Sequence, residues 1–377
     1  MQANRKFFLN QGELKIIKTA KLIDSYILSK EFLHNFESKH WKTLNEPKRS
    51  SFFDSIDANI GNLSNFRSDK ELSKGLDDAV EIKYIPEVFF ELAKKHKAED
   101  ILDNLQDKNV GNSNYSINIF DKFMDYHELF LIDYALTLQK KVLSKLDQPL
   151  VCEIGGGYGS LARMLTKKVD CKYILIDLPE ANLLSAYYLN EHFSGANKKF
   201  LLFSDLKKNI LDMKDIENYD FIIIPPNVQF SSDIKIDLFI NTRSMMEMTK
   251  AVIQDYFDII QKNVSDQGYF LNVNRYIKKT VGEKIMISRY PYDENWKVKI
   301  SKKAFLQDHI HFLLTKRDHS QSKNIFIELK KIEAEAKKYF EARPKLILRY
   351  FISLIKMVTP KPIKVYLKGL LFTSRPE

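Results

Sequence analysis

Residues 151–165, VCEIGGGYGSLARML, place glycine at four of five successive positions, between an apolar run and a stretch of helical periodicity. A backbone that bare can turn tightly and let a ligand approach main-chain amides at a helix N-terminus. It closes a strand–turn–helix unit, and the chain beyond it repeats the pattern. LVCEI (150–154), KYILID (172–177), KFLLF (199–203), DFIIIP (220–225) and GYFLNVN (268–274) are short apolar runs separated by helical stretches. Strands alternating with helices specify parallel βαβ units, so the sequence predicts a doubly wound α/β fold with a Rossmann-like sheet. WKVKI (296–300) and HIHFLLTKR (309–317) are predicted to close it as an antiparallel pair, giving seven strands.

Around this predicted core, residues 116–320, the periodicity is helical. In residues 1–115 apolar positions recur at helical spacing (Leu14, Ile17, Leu22, Tyr26, Phe32, Phe36), and Pro86 can open a further helix, EVFFELAKKH. IFDKFMDYHELFLIDYALTLQKKVL (119–143) reads as one long amphipathic helix entering the core. The tail, 321–377, is also predicted helical, first charged and then basic and apolar. Its Lys345, Arg349, Lys356, Lys361, Lys364 and Lys368 alternate with bulky apolar residues. Such a segment suits an anionic membrane surface, and equally suits packing on its own domain or on a second copy in a homo-oligomer.

The formal net charge of +10 favours an acidic partner: a membrane surface, a nucleotide-linked sugar or a nucleic acid. No stretch reaches the roughly 18 apolar residues of a membrane span, and the N-terminus lacks a signal-peptide pattern, so a cytoplasmic protein is expected. Cys152 and Cys171 fall on neighbouring strands with no metal-ligand spacing and are expected to be reduced core residues.

The acids at the strand ends narrow the ligand. A dinucleotide fingerprint would need glycine at 160, where Ser160 stands, and Glu153 precedes Gly155, Gly156, Gly157 and Gly159. A carboxylate there sits badly beside a pyrophosphate and well beside the ammonium and sulfonium of S-adenosylmethionine. About twenty residues on, Asp177 ends the second strand, placed to accept hydrogen bonds from ribose hydroxyls. Ser204 and Asp205 end the third, where a carboxylate could meet the adenine amino group or simply cap a helix.

EIGGGYGSLARML, YILIDLPEANLLSAYYLN, INTRSMMEM and GYFLNVNRY together resemble the bacterial sugar O-methyltransferase family, within the class I S-adenosylmethionine-dependent methyltransferases. The resemblance spans about residues 115–315. It implies that Glu153, Gly155, Gly157 and Gly159 shape the methionine pocket, that Asp177 holds the ribose and that Leu178 flanks the adenine. The helical N-terminal part and the basic tail lie outside it.

Methyl transfer to a sugar hydroxyl needs the acceptor oxygen aligned with the methyl carbon and sulfur, and gains from a base that takes the hydroxyl proton. Ligands of open sheets sit beyond the strand carboxyl ends, which directs attention to Asn227, Asp237, Asn241, Arg243, Glu247, Asn272, Asn274, Arg275 and Tyr276. If 241–248 is helical, Arg243 and Glu247 share a face and serve sugar recognition first and catalysis second, or form a surface ion pair. Among the histidines His127 ranks first, because MDYHE also supplies Tyr126 and Glu128. No grouping indicates a metal, although some sugar methyltransferases use a divalent cation. Ile224-Pro225-Pro226-Asn227 lacks the leading polar residue and the aromatic with which base amino-methylating enzymes grip a flipped base, which argues against a nucleic-acid substrate. The remaining alternative is a catalytically silent scaffold of the same fold.

Overall fold

The computed structural model describes residues 11–27, 60–68, 82–206, 209–279, 282–320 and 324–339. The helices that position the site are α1 (Gln11–Ile27), α2 (Ile85–Ala93), α3 (Ala98–Asn104), α4 (Tyr126–Lys141), α5 (Ser160–Lys168), α6 (Pro179–His192), α7 (Lys250–Asn263) and α8 (324–339). A short hairpin, β1 (Ser116–Ile119) and β2 (Lys122–Asp125), precedes α4. The sheet consists of β3 (Leu150–Ile154), β4 (Lys172–Ile176), β5 (Phe200–Leu202), β6 (Phe221–Ile224), β7 (Ile236–Thr242), β8 (Val264–Arg275), β9 (Trp296–Ala304) and β10 (Gln307–Arg317).

Its order is β9-β10-β8-β7-β3-β4-β6-β5, parallel from β8 to β5 and antiparallel through β10 and β9. This is the doubly wound, Rossmann-like sheet expected from the alternating runs. Every residue of β3 and of β6 is buried, as strands covered by helices on both faces require. Winding reverses at β3, whose neighbours β4 and β7 lie on opposite sides, and the glycine turn leaves the sheet at that switch point.

The sheet has eight strands rather than seven. The additional one is β7, whose apolar run is broken by Asp237 and Asn241. Both are consumed by the fold: Asp237 Oδ2 accepts from the Leu150 amide at 3.0 Å, and Asn241 Nδ2 donates to the Ile154 carbonyl at 2.8 Å. DFIIIP is therefore not the fourth strand in space. β6 lies directly beside β4, and β5 is displaced to the edge.

The predicted helix over 119–143 begins only at Tyr126. Phe120 and Asp121 both take positive φ, 51° and 58°, which forms the two-residue turn of the hairpin. Asp125 then caps α4, its Oδ1 accepting from the His127 amide at 2.8 Å.

Segments of the N-terminal region bind to the core through a buried polar network. Glu128 accepts from Gln106 Nε2 at 2.6 Å and Ser160 Oγ at 2.5 Å. Arg163 donates to Tyr188 Oη (2.9 Å) and to the carbonyls of Asn104 (2.8 Å) and Leu105 (3.3 Å). Arg67 donates to Gln106 Oε1, the Val110 carbonyl and Asp125 Oδ2. Removing one member of such a network strands a buried charge, so it fixes α3, α4, α5 and the 60–68 segment relative to one another.

Among the described residues no helix is long and apolar enough to cross a membrane. The basic positions Lys345 to Lys368 lie outside the described residues. Cys152 and Cys171 are buried and unbridged.

Candidate active site

The glycine turn is shaped by neighbours below it and open above it. Gly155, Gly157 and Gly159 have φ of +74°, +57° and +87°. A Cβ on Gly155 would lie 1.9 Å from Ser244 Oγ, and one on Gly156 would lie 2.5 Å from Leu175 Cδ2. At Gly157 a Cβ would meet nothing within 4 Å, so this is where the main chain offers itself to a ligand. Gly155→Ala combines a left-handed backbone with a steric clash and is expected to destabilise the protein by about 2–4 kcal/mol, measured as a lower denaturant midpoint at unchanged m.

Glu153 and Asp177 divide their tasks. Glu153 is fully buried beneath the turn, where its carboxyl group accepts from Tyr173 Oη at 2.8 Å and lies against Gly156. Burial pushes its pKa up to about 7, partly offset by that hydrogen bond. It therefore supports the turn from below, whereas the sequence placed it beside an ammonium or sulfonium. Asp177 is half-buried and accepts from the Gly157 amide at 2.8 Å and the Leu178 amide at 2.7 Å. Burial raises its pKa to about 6 against the pull of those two amides.

Ser204 and Asp205 do not join them. They follow β5, with β6 between them and β4, and α1 covers them: Thr19 Oγ1 lies 2.8 Å from Ser204 Oγ, and Lys15 Nζ lies 3.1 Å from Asp205 Oδ2. The segment beside Asp177 comes from β6 and carries Asn227, whose buried Oδ1 has no hydrogen-bond partner among the described residues. The two prolines before it were legible; the reordering of strands that gives Asn227 this place was not.

Arg243 and Glu247 separate, because only Met245–Glu247 forms a 3-10 turn and Arg243 is left-handed at φ 62°. Glu247 pairs with Lys278. Arg243 instead places its Nη1 3.5 Å from His127 Nδ1, and Tyr126 lies edge-on to the His127 ring. Asn241 and Asn274 are fully buried in an amide ladder. Asn274 Nδ2 donates to Asn241 Oδ1 and Asn272 Oδ1, both at 2.7 Å, and Asn274 Oδ1 accepts from the Met246 amide. They hold the β7–β8 ends together and present nothing to a substrate. Tyr276 is likewise removed from the site: its hydroxyl donates to Glu335 of α8 at 2.9 Å and lies 3.1 Å from His311 Nδ1. Arg275 ends β8 opposite Ile310.

Of two further histidines, His311 is buried and His192 half-buried. Burial and the charges of Arg163 and Arg67 push His192 down to about 2, and burial pushes His311 to about 4.

Beside the turn, a small cleft is lined by Arg67, Ser113, Tyr115, Asp125, His127 and Tyr158. Tyr158 belongs to the glycine motif itself, and its ring carries the Arg67 guanidinium at 5.3 Å. Of this lining only His127 stood out in sequence. Arg67 is distant in the chain, and Asp125 read as helix interior rather than as the cap that ends the hairpin. Among the described residues no three His, Cys, Asp or Glu side chains are grouped to hold a metal ion.

No protein-family model matches the sequence, and no curated protein matches it significantly. Solved structures similar to this chain include magnesium protoporphyrin IX methyltransferase from Synechocystis PCC 6803 with bound S-adenosylmethionine (13% identity, 51% of this chain and 80% of that chain, TM-score 0.34). They also include N-methyltransferase NodS from Bradyrhizobium japonicum WM9 (12% identity, 50% and 97% covered, TM-score 0.32). A third is an S-adenosylmethionine-dependent methyltransferase from Aquifex aeolicus (13% identity, 51% and 94% covered, TM-score 0.30).

Proposed function

We propose that the protein is an S-adenosylmethionine-dependent O-methyltransferase acting on a sugar hydroxyl of a surface glycan or of its nucleotide- or lipid-linked precursor. The observation that carries this reading is the adjacency of two features at one switch point. The open face of Gly157 lies against the Asp177 carboxylate, and the polar cleft around His127 shares Tyr158 with the same turn.

The residues fit the cofactor. Asp177 would hold the ribose hydroxyls, the bare face of Gly157 would let the cofactor lie close to the turn, and the Oδ1 of Asn227 would accept from the adenine amino group in the role expected of Asp205. When bound, the cofactor supplies a methyl group on a positively charged sulfur. The polar side chains of the pocket, Arg67, Ser113, Tyr115 and Asp125, offer donors and acceptors in the mixture that fixes a carbohydrate, and Tyr115 and Tyr158 add flat apolar faces. His127 takes the hydroxyl proton as the new C–O bond forms, a contribution on the order of 10²–10⁴-fold. The basic tail beyond α8, outside the described residues, would keep the enzyme near an anionic membrane surface where lipid-linked sugars reside.

Mass spectrometry of the host's surface polysaccharide, with and without the gene, tests the reading. Loss of one O-methyl substituent is expected; an unchanged methyl-ether content argues against it.

A further inference from the structure

We propose that the tip of the β9–β10 hairpin, with the carboxyl end of α2 beside it, docks the protein on an anionic membrane surface. This face is separate from the cleft and from the tail beyond α8, and the docking does not depend on the reaction assigned above. It starts from Leu306. Ala304 pairs with Gln307, so Phe305 and Leu306 form a two-residue turn, in which Leu306 takes φ 52°. Glycine or asparagine occupies such a position without strain, whereas a branched apolar side chain is costly there. Leu306 is also 54% exposed, so burial within the chain offsets little of that cost. Its side chain is free for an apolar contact outside the chain.

The lysines around this tip carry more charge than the fold neutralises. Buried Asp133 of α4 accepts from Lys95, just beyond α2, and its Oδ1 lies 2.8 Å from His96 Nε2. Asp308 pairs with Lys303 at 3.2 Å, and Glu91 with Lys94 at 2.5 Å. Among the described residues Lys302 is then left without a carboxylate partner. Partial burial and the neighbouring Lys95 ammonium hold its pKa below the ordinary lysine value, as expected where two like charges are crowded together. Unneutralised ammonium groups beside an exposed aliphatic side chain match anionic headgroups lying over acyl chains. The rings nearby favour lipid over nucleic acid. Lys95 Nζ covers Phe305 at 5.3 Å and Lys94 Nζ covers Phe90 at 4.6 Å, while Leu306 has no ring to stack on a base. The placement also suits the fold. Arg275, at the end of β8, pairs with Ile310 of β10, so the tip stands at the carboxyl ends of the parallel strands, where the glycine turn leaves the sheet. Docking there would bring that end of the sheet to the lipid, where lipid-linked sugars reside under the methyltransferase reading.

Co-sedimentation of the full chain with vesicles tests this. Vesicles of phosphatidylcholine alone are compared with equimolar phosphatidylcholine and phosphatidylglycerol. Binding to the anionic vesicles is expected, and the double variant Leu306→Asn, Lys302→Gln should weaken it by about ten-fold or more. Asparagine suits the left-handed turn and Lys302 holds no ion pair, so the variant should fold, which a thermal melt checks. Phe120→Asn is the control: Phe120 is an 82% exposed residue at the β1–β2 tip with φ 51°, but the acid Asp121 stands beside it. Its partitioning should equal that of wild type. As a second readout, the emission of Leu306→Trp should shift to the blue on adding anionic vesicles, beyond any shift of wild type. No binding to anionic vesicles, undiminished binding of the double variant, an equal loss in Phe120→Asn or an unshifted Leu306→Trp would each overturn the proposal. So would a duplex or single-stranded oligonucleotide that binds through Lys302 where vesicles do not, or a dimer in solution that the double variant dissociates. None of these outcomes bears on S-adenosylhomocysteine binding, which tests the enzyme separately.

Discussion

Asp177→Asn is expected to weaken S-adenosylhomocysteine binding by about 2–3 kcal/mol, on the order of 100-fold, because a ribose diol would lose two hydrogen bonds to a charged acceptor and keep weaker neutral ones. The same residue sets a pH dependence. Its carboxyl pKa is raised to about 6 by burial, so protonation below that value removes the acceptor. Wild-type affinity should therefore fall as pH drops from 7 to 5, and the fall should be absent in Asp177→Asn. Calorimetry at three pH values measures both effects, and a thermal melt of the variant checks that the turn survives loss of one amide partner. An affinity within about three-fold of wild type at pH 7 would remove Asp177 from the cofactor site.

Glu153→Gln is expected to act on stability. The folded protein holds this carboxyl group at a pKa of about 7 through burial, against an ordinary value of 4.5. Between those values the folded state keeps a proton that the unfolded chain has released. Stability therefore falls as pH rises from about 4.5 to about 7 and is level above, a loss of about 3 kcal/mol from this one group. Glutamine keeps an acceptor for Tyr173 and never ionises. The variant should gain about 3 kcal/mol relative to wild type between pH 5 and pH 8, read from urea denaturation at each pH. Asp177 contributes a slope of the same sign to both proteins, so the difference isolates Glu153. A constant difference across that range would show that Glu153 is not enclosed beneath the turn.

The same pair shows how far the sequence could be read. Four glycines after an apolar run located the turn, and Asp177 at the end of KYILID placed an acid beside it. Pattern alone could not say that Glu153 points under the turn, since that depends on Tyr173 from the next strand. Ser204 and Asp205 were misplaced for a topological reason: chain order suggested a third strand next to β4, whereas β6 inserts there and sends β5 to the edge. β7 escaped notice because its polar residues serve neighbouring backbone groups instead of marking a loop. Arg243 and His127 were both singled out, for different partners. Only the positive φ at Arg243 and the cap at Asp125, features with no periodicity, bring the two together. The pocket wall supplied by Arg67 depends on a contact between residues 58 apart in the chain, which one sequence without relatives cannot disclose.

Calorimetric titration of the wild-type chain with S-adenosylhomocysteine at pH 7.5 tests the central claim most directly. One saturable site per chain, with affinity in the low micromolar range or tighter, is expected. Heats of dilution alone up to several hundred micromolar ligand would contradict a cofactor-binding cleft at Gly157 and Asp177, and with it the enzyme.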